Sequence, residues 1–116
     1  MNLQNELDLY KFCPHCGSTL VAKQIEKENV KACTQCDFVY WNNPKPVVSA
    51  VIHHDGKVLM IQRANEPFRN YWVLPGGFIS YDEIAEDAIK REVEEEIGTD
   101  IQLERIIGTY KIDTDP

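Results

Sequence analysis

The sequence predicts an α+β protein in two parts, and three observations carry that expectation. All four cysteines fall in the first 36 residues, as two C-x2-C pairs. Residues 46–74 alternate short β-branched or aliphatic runs with turn signals, the pattern of strands. Residues 82–97 carry charged and apolar side chains at helical spacing and stop at Gly98. A chain of 116 residues buries only a modest core, so a staple is expected beside it.

The cysteines supply that staple. Cys13-Pro-His-Cys16 and Cys33-Thr-Gln-Cys36 are separated by sixteen residues, within the spacing range of a four-cysteine zinc site. Each pair offers two thiolates from one tight turn, with Gly17 just after the first. The competing reading is two disulfides or redox-active thiols. No apolar, positively flanked N-terminus argues for export, so zinc and a cytoplasmic location are expected. Four cysteines leave no open position for water, which makes the ion structural. His15, between two ligands, reads as a surface residue. Trp41-Asn-Asn-Pro-Lys-Pro46 favours turn or extended backbone and divides the chain into residues 1–45 and 46–116. Tyr40 and Trp41 read as packing between the parts, with base stacking as the alternative.

The second part opens with two runs flanking His53-His54-Asp55-Gly56-Lys57, and Asp-Gly between such runs predicts a hairpin. The histidines beside it read as surface residues. A strand over Tyr71–Leu74 leads into a glycine loop, Pro75-Gly76-Gly77. A helix follows from about Asp82, its expected N-cap, to Ile97, and residues 101–110 read as a further strand. The order of elements predicts a mixed sheet with at least one covering helix.

Charge singles out the helix. The formal net charge is −7, and ten acidic side chains lie between Asp82 and Glu104 against only Lys90 and Arg91. That balance argues against nucleic-acid backbone binding and requires a cation as intermediary for any anionic substrate. With about 100° per residue and Glu92 as zero, Glu96 lies near +40° and Glu95 near −60°, on the face that carries Ala85, Ala88 and Ile89. Glu83, Glu86, Asp87, Lys90 and Glu94 take the opposite, solvated side. Like charges at i,i+4, such as Glu92 and Glu96, cost roughly 0.2–0.5 kcal/mol even when exposed, and partial burial adds to it. Arg91 can offset one of them. Three oxygen-bearing groups on one face are the type of site that holds Mg²⁺ or Mn²⁺ with substrate phosphates. The glycine loop, through Gly76 and Gly77, adds approachable backbone and an anion site near the helix N-terminus. Together these point to metal-assisted hydrolysis.

From Gly77 the chain reads Gly, five residues, Glu83, seven residues, then Arg91-Glu92-Val93-Glu94-Glu95-Glu96-Ile97-Gly98-Thr99. This resembles the Nudix box, G-x5-E-x7-R-E-U-x-E-E-x-G-U, departing only at Thr99, a packing position where an aliphatic residue is usual. The cysteine module followed by WNNP is similar to the zinc ribbon that precedes the Nudix domain in one branch of that family. The resemblance implies an α/β/α sandwich with a mixed sheet, of which this sequence holds an incomplete part. Further strands and a second helix are expected beyond residue 116. It implies that Glu92, Glu95 and Glu96 are ligands of a catalytic Mg²⁺ or Mn²⁺, with one of them or a neighbouring glutamate activating water. It implies that the Gly77 carbonyl can contact the metal, and that Glu83 and Arg91 position the helix.

The implied reaction is hydrolysis of a nucleoside diphosphate derivative at its pyrophosphate. ADP-ribose, NADH and FAD are the branch's substrates; an SQPWPFP motif marks NADH-cleaving members, and Gly108–Thr114 stands in that region here, which leaves ADP-ribose or an FAD-like dinucleotide. Phe68, Arg69, Tyr71 and Trp72 read equally as base-stacking groups or packing. The expected partners are a small-molecule nucleotide and, through unpaired strand edges, a second copy in a homodimer, with neither nucleic acid nor membrane. Two other classes remain open: a nonhydrolytic nucleotide binder, and a zinc-ribbon interaction protein with a vestigial hydrolase half.

Overall fold

The computed structural model describes residues 7–112. The outer ends of the two predicted parts, including Asp113 and Thr114 of the segment compared with the NADH motif, lie outside the described residues. The chain divides into two compact units, Met1–Pro44 with Gly108–Pro116, and Lys45–Ile107.

In the first unit, β1 (Leu20–Ile25), β2 (Glu28–Cys33) and β3 (Val39–Tyr40) form an antiparallel sheet in that order. Ile25 pairs with Glu28, so the β1–β2 loop is the two residues Glu26 and Lys27, with φ of 50° and 70°. Positive φ at both positions matches the twist of a two-residue hairpin, although neither residue is of the type that adopts it readily. The sheet buries Leu20, Val30 and Ala32, and Cys13 is buried as well. Tyr40 stacks on Tyr10 at 4.1 Å between ring centroids, so its packing partner lies within the same unit. Trp41 stays 42% exposed.

The second unit contains β4 (Val47–Ser49), β5 (His53–His54), β6 (Lys57–Val58), β7 (Ile61–Gln62), β8 (Trp72–Val73), β9 (Gly76–Phe78) and the helix α1 (Ala85–Ile97). The α+β class is as expected. Among the described residues its strands pair as three separate antiparallel ladders, β4 with β9, β5 with β6, and β7 with β8. Asp55 and Gly56, at φ 49° and 71°, make the expected hairpin turn, flanked by exposed His53 and His54. Arg63 and Tyr71 close the longer loop between β7 and β8, which carries Phe68 and Asn70 at positive φ.

Four expectations need correction. The strand over Tyr71–Leu74 shortens to Trp72–Val73. Gly76 and Gly77 do not form a loop but lie in strand β9, where Gly77 pairs with Val48 and Gly76 with Ser49. Residues 101–110 form no strand, because a strand needs a hydrogen-bonded neighbour and none of the described residues pairs with them. The helix begins at Ala85, not Asp82, and its N-cap is Ile84, extended at φ −92° and ψ 162° and without a side-chain cap. The acidic group near this end that does bond backbone is Glu83, which accepts from the Ser80 N–H at 3.0 Å.

The other end of α1 stops as expected. Gly98 is left-handed at φ 72° and its N–H donates to the Glu94 carbonyl at 2.8 Å. The helix packs on β9 and β4 through buried Ala88, Ile89 and Val93. Ala85, assigned to that face in the sequence, is exposed in the first turn. No helix among the described residues is long and apolar enough to cross a membrane.

Candidate functional site

Two side-chain clusters stand out, one in each unit. In the first, the sulfurs of Cys13, Cys16, Cys33 and Cys36 all lie within 4.8 Å of one another. The two C-x2-C turns are built for this. The N–H of His15 donates to Cys13 Sγ at 3.3 Å, and those of Gln35 and Cys36 to Cys33 Sγ at 3.3 and 3.4 Å, while Gly17 turns the first knuckle at φ 77°. Cys13 and Cys36 are 3.6 Å apart at sulfur, and Cys16 and Cys33 3.5 Å. Those separations are far beyond the roughly 2.05 Å of a disulfide, which removes the disulfide reading. They are close to the roughly 3.8 Å edge of a tetrahedron with metal–sulfur bonds of about 2.3 Å.

Electrostatics fit the same arrangement. Hydrogen bonds from Ser18 draw the Cys16 thiol down to about 6. The Phe38 backbone favours the Cys36 thiolate, yet burial and the sulfurs of Cys33, Cys13 and Cys16 push that thiol up to about 12. Four sulfurs this close cannot all ionise without a cation among them. His15 is exposed and stands 5.3 Å, ring to ring, from Phe38, outside the ligand set.

In the second unit, Arg91 is the hub of the acidic cluster. Its Nε and Nη2 donate to the two oxygens of Glu83, the latter at 2.9 Å, a bidentate pair. Nη2 also donates to the Phe78 carbonyl at 3.1 Å, tying the helix to β9. The remaining Nη1 donates to Glu92 at 2.9 Å and, more weakly, to both oxygens of Glu95 at 3.3 Å. The sequence allows Arg91 one carboxylate; the structure gives it three. Glu83 pays no isolation cost in this setting, since the Arg91 fork and the Ser80 N–H hold its carboxyl down at about 2.

Glu96 is outside Arg91's reach and is held differently. Its Oε2 accepts from the Gly76 N–H at 3.2 Å. Burial, with the charges of Glu92 and Glu95, raises its carboxyl above the ordinary value against that hydrogen bond. Gly77 lies under Glu92, where a Cβ would come within 2.5–2.6 Å of both carboxylate oxygens. Gly77 therefore serves close approach of strand to helix, and Gly76, whose Cβ would meet Val48 and Ser49, close approach of β9 to β4.

This placement corrects one more expectation. Gly76 and Gly77 meet Glu96 and Glu92, in the second half of α1, so the glycine segment does not form an anion site at the helix N-terminus. The contacts of the Phe78 carbonyl and the Gly76 N–H were not foreseen, because backbone donors and acceptors carry no residue-type signal. Elsewhere, Phe68 and Tyr71 meet edge to face at 5.7 Å, and Tyr71 and Trp72 stay more than 60% exposed.

The NUDIX domain family matches residues 43–116. Over 98 residues the chain is 34% identical to an ADP-ribose pyrophosphatase of Methanocaldococcus jannaschii, covering 84% of this chain and 58% of that protein. It is 35% identical over 103 residues to the human NAD-capped RNA hydrolase NUDT12, covering 79% of this chain and 21% of that protein. The crystal structure of a NUDIX hydrolase from Nitrosomonas europaea superposes with a TM-score of 0.67 at 33% identity, covering 74% of this chain and 50% of that one. The chain thus spans little more than half the length of these relatives, or less.

Proposed function

The chain belongs to the NUDIX domain family, and from that premise we propose that it is a divalent-metal-dependent pyrophosphohydrolase acting on a nucleoside diphosphate derivative, ADP-ribose or an FAD-like dinucleotide. The observation that carries the proposal is the placement of Glu92 and Glu96 against a strand whose Gly77 has no side chain to obstruct them, with Glu95 held beside Glu92 by Arg91. The donor set is hard oxygen throughout, which fits Mg²⁺ or Mn²⁺, and the Glu92 carboxylate lies in the space that a Gly77 side chain would otherwise fill.

Glu92, Glu95, Glu96 and the Gly77 carbonyl would hold the cation. Bound there, it would polarise the pyrophosphate oxygens and lower the pKa of a water. The chain's own residues do the rest. Arg91, clamped by Glu83, sets where the Glu92 and Glu95 carboxylates point. Gly76 holds Glu96 through its N–H and, with Gly77, offers backbone that a phosphate can approach. One glutamate takes the proton of the attacking water. In the first unit, Cys13, Cys16, Cys33 and Cys36 would hold a structural Zn²⁺, whose loss would release the turns that carry them. A cytoplasmic location goes with thiols kept reduced.

The substrate rests on the 34%-identical ADP-ribose pyrophosphatase. The similarity to NAD-capped RNA hydrolases keeps a second reading in the test. The experiment is turnover of ADP-ribose, FAD, NADH, NAD-capped RNA and nucleoside triphosphates with Mg²⁺ or Mn²⁺, by the chain and by Glu95→Gln. Preference for ADP-ribose or FAD that vanishes in the variant supports the proposal. Preference for the capped RNA moves it to the second reading, and binding without turnover makes the protein a sensor.

A further inference from the structure

We infer that Arg91 is a built-in competitor of the cation, occupying Glu92 and Glu95 through Nη1 when the site holds no metal and restrained by Glu83 from holding Glu95 tightly. The inference rests on the reading of Glu92, Glu95 and Glu96 as a cation site and adds a positioning role that sets the affinity of that site.

The geometry divides the guanidinium into two parts with different commitments. Nε and Nη2 are engaged by a bidentate carboxylate and a backbone carbonyl, with the Glu83 side chain only 17% exposed. Nη1 spreads across Glu92 at 2.9 Å and the two oxygens of Glu95 at 3.3 Å, the latter at the outer margin for N–H···O bonds. Glu95 is also the most open of these carboxylates, 58% exposed against 14% for Glu92. The arrangement therefore gathers the carboxylates in advance of the cation while holding the more exposed one weakly. A cation entering among Glu92, Glu95 and Glu96 takes Glu95 from Nη1, and the Glu83 clamp keeps the guanidinium from following it. Glu96, bonded to the Gly76 N–H and not to Arg91, is open to the cation from the start.

The two ends of this one salt bridge then have opposite effects on cation binding; charge alone would give the same signs, so the guanidinium itself must be watched as the cation binds. In Arg91→Gln the competitor and its charge are gone, and Mn²⁺ binds more tightly, by about tenfold for a unit charge roughly 6 Å from a divalent ion in a water-like dielectric. In Glu83→Gln the leash is gone, Arg91 settles on Glu92 and Glu95, and Mn²⁺ binds more weakly than in the parent chain.

The test is Mn²⁺ binding by electron paramagnetic resonance, without substrate, for the parent chain and both variants, each checked for folding by circular dichroism. Tighter binding in Arg91→Gln with weaker binding in Glu83→Gln supports the competitor role. Weaker or unchanged binding in a folded Arg91→Gln overturns it while leaving the cation site standing. Absence of Mn²⁺ binding in the parent chain overturns both the inference and the cation site beneath it. Nitrogen-15 NMR of the Arg91 guanidinium in the parent chain during a Mg²⁺ titration separates competition from charge alone, and decides as well should Arg91→Gln fail to fold. The Nε–H signal, tied to Glu83, should persist while the Nη1 signal moves; an Nη1 signal unmoved at saturation overturns the role.

Discussion

Gly76 and Gly77 are neighbours in strand β9, and a methyl group on each would meet different obstacles. On Gly76 it would run into backbone, the Val48 carbonyl and the Ser49 Cα, neither of which can move without breaking the β4–β9 ladder. Gly76→Ala should therefore destabilise the second unit by about 1–3 kcal/mol, the usual cost of overpacking, measured by urea unfolding. On Gly77 the methyl would meet first the end of the Glu92 side chain, which can swing aside. Gly77→Ala should keep its stability and lose turnover by about 100-fold, the scale of loss when a reacting group is displaced by about 1 Å. Glu83 gives a pH signature at the same scale. Its carboxyl is drawn from 4.5 down to about 2, chiefly by Arg91, so its stabilising contribution is complete above 4.5 and disappears as pH falls toward 2. Melting temperature followed from pH 5 to pH 2 should fall less steeply in Glu83→Gln than in the parent chain.

At the scale of the element, α1 is held by a small buried face and a well-formed end. Val93 is fully buried, and Val93→Ala should cost about 2 kcal/mol through the cavity it leaves, a loss visible in chemical denaturation. Gly98→Ala should cost about 1 kcal/mol, because the left-handed cap at φ 72° strains any L side chain. The helix was legible in the sequence because its charges and its Gly98 stop both have strong local causes. Its start was not: Asp82 has the chemistry of a cap, but Ser80 and Glu83 form the hydrogen bond that shapes the approach, and Ile84 takes the cap position bare. The hairpin at Asp55-Gly56 was legible from residue type alone. The hairpin at Glu26-Lys27 was not, since neither residue advertises a positive φ and only the β1–β2 register demands it. The strand expected over 101–110 failed because alternation of apolar residues names a strand only when a neighbour pairs with it. In the site, helical arithmetic could bring Glu92, Glu95 and Glu96 to one side of α1, where Glu92 is half-buried and Glu95 and Glu96 stay exposed. The backbone partners that hold them could not, because a Gly76 N–H and a Phe78 carbonyl are written in no side chain.

For the whole molecule, the proposed function assigns a different ion to each of the two units. A strong zinc chelator should melt the cysteine-bearing unit, whose buried residues are few and include Cys13, and leave the α1 unit's melting transition in place. Cys16→Ser should behave like the chelated parent, with the two transitions resolved by calorimetry. The acidic balance of −7 is concentrated rather than spread, since ten acidic side chains lie between Asp82 and Glu104 against only Lys90 and Arg91, around the proposed cation site. The most direct test of the central claim is phosphorus-31 NMR of ADP-ribose incubated with the chain and Mg²⁺, with excess EDTA, and with Glu96→Gln in place of the parent. Metal-dependent cleavage by the carboxylate cluster predicts that the pyrophosphate signals give way to two phosphomonoester signals only for the parent with Mg²⁺. Cleavage that persists in EDTA or in Glu96→Gln would contradict it.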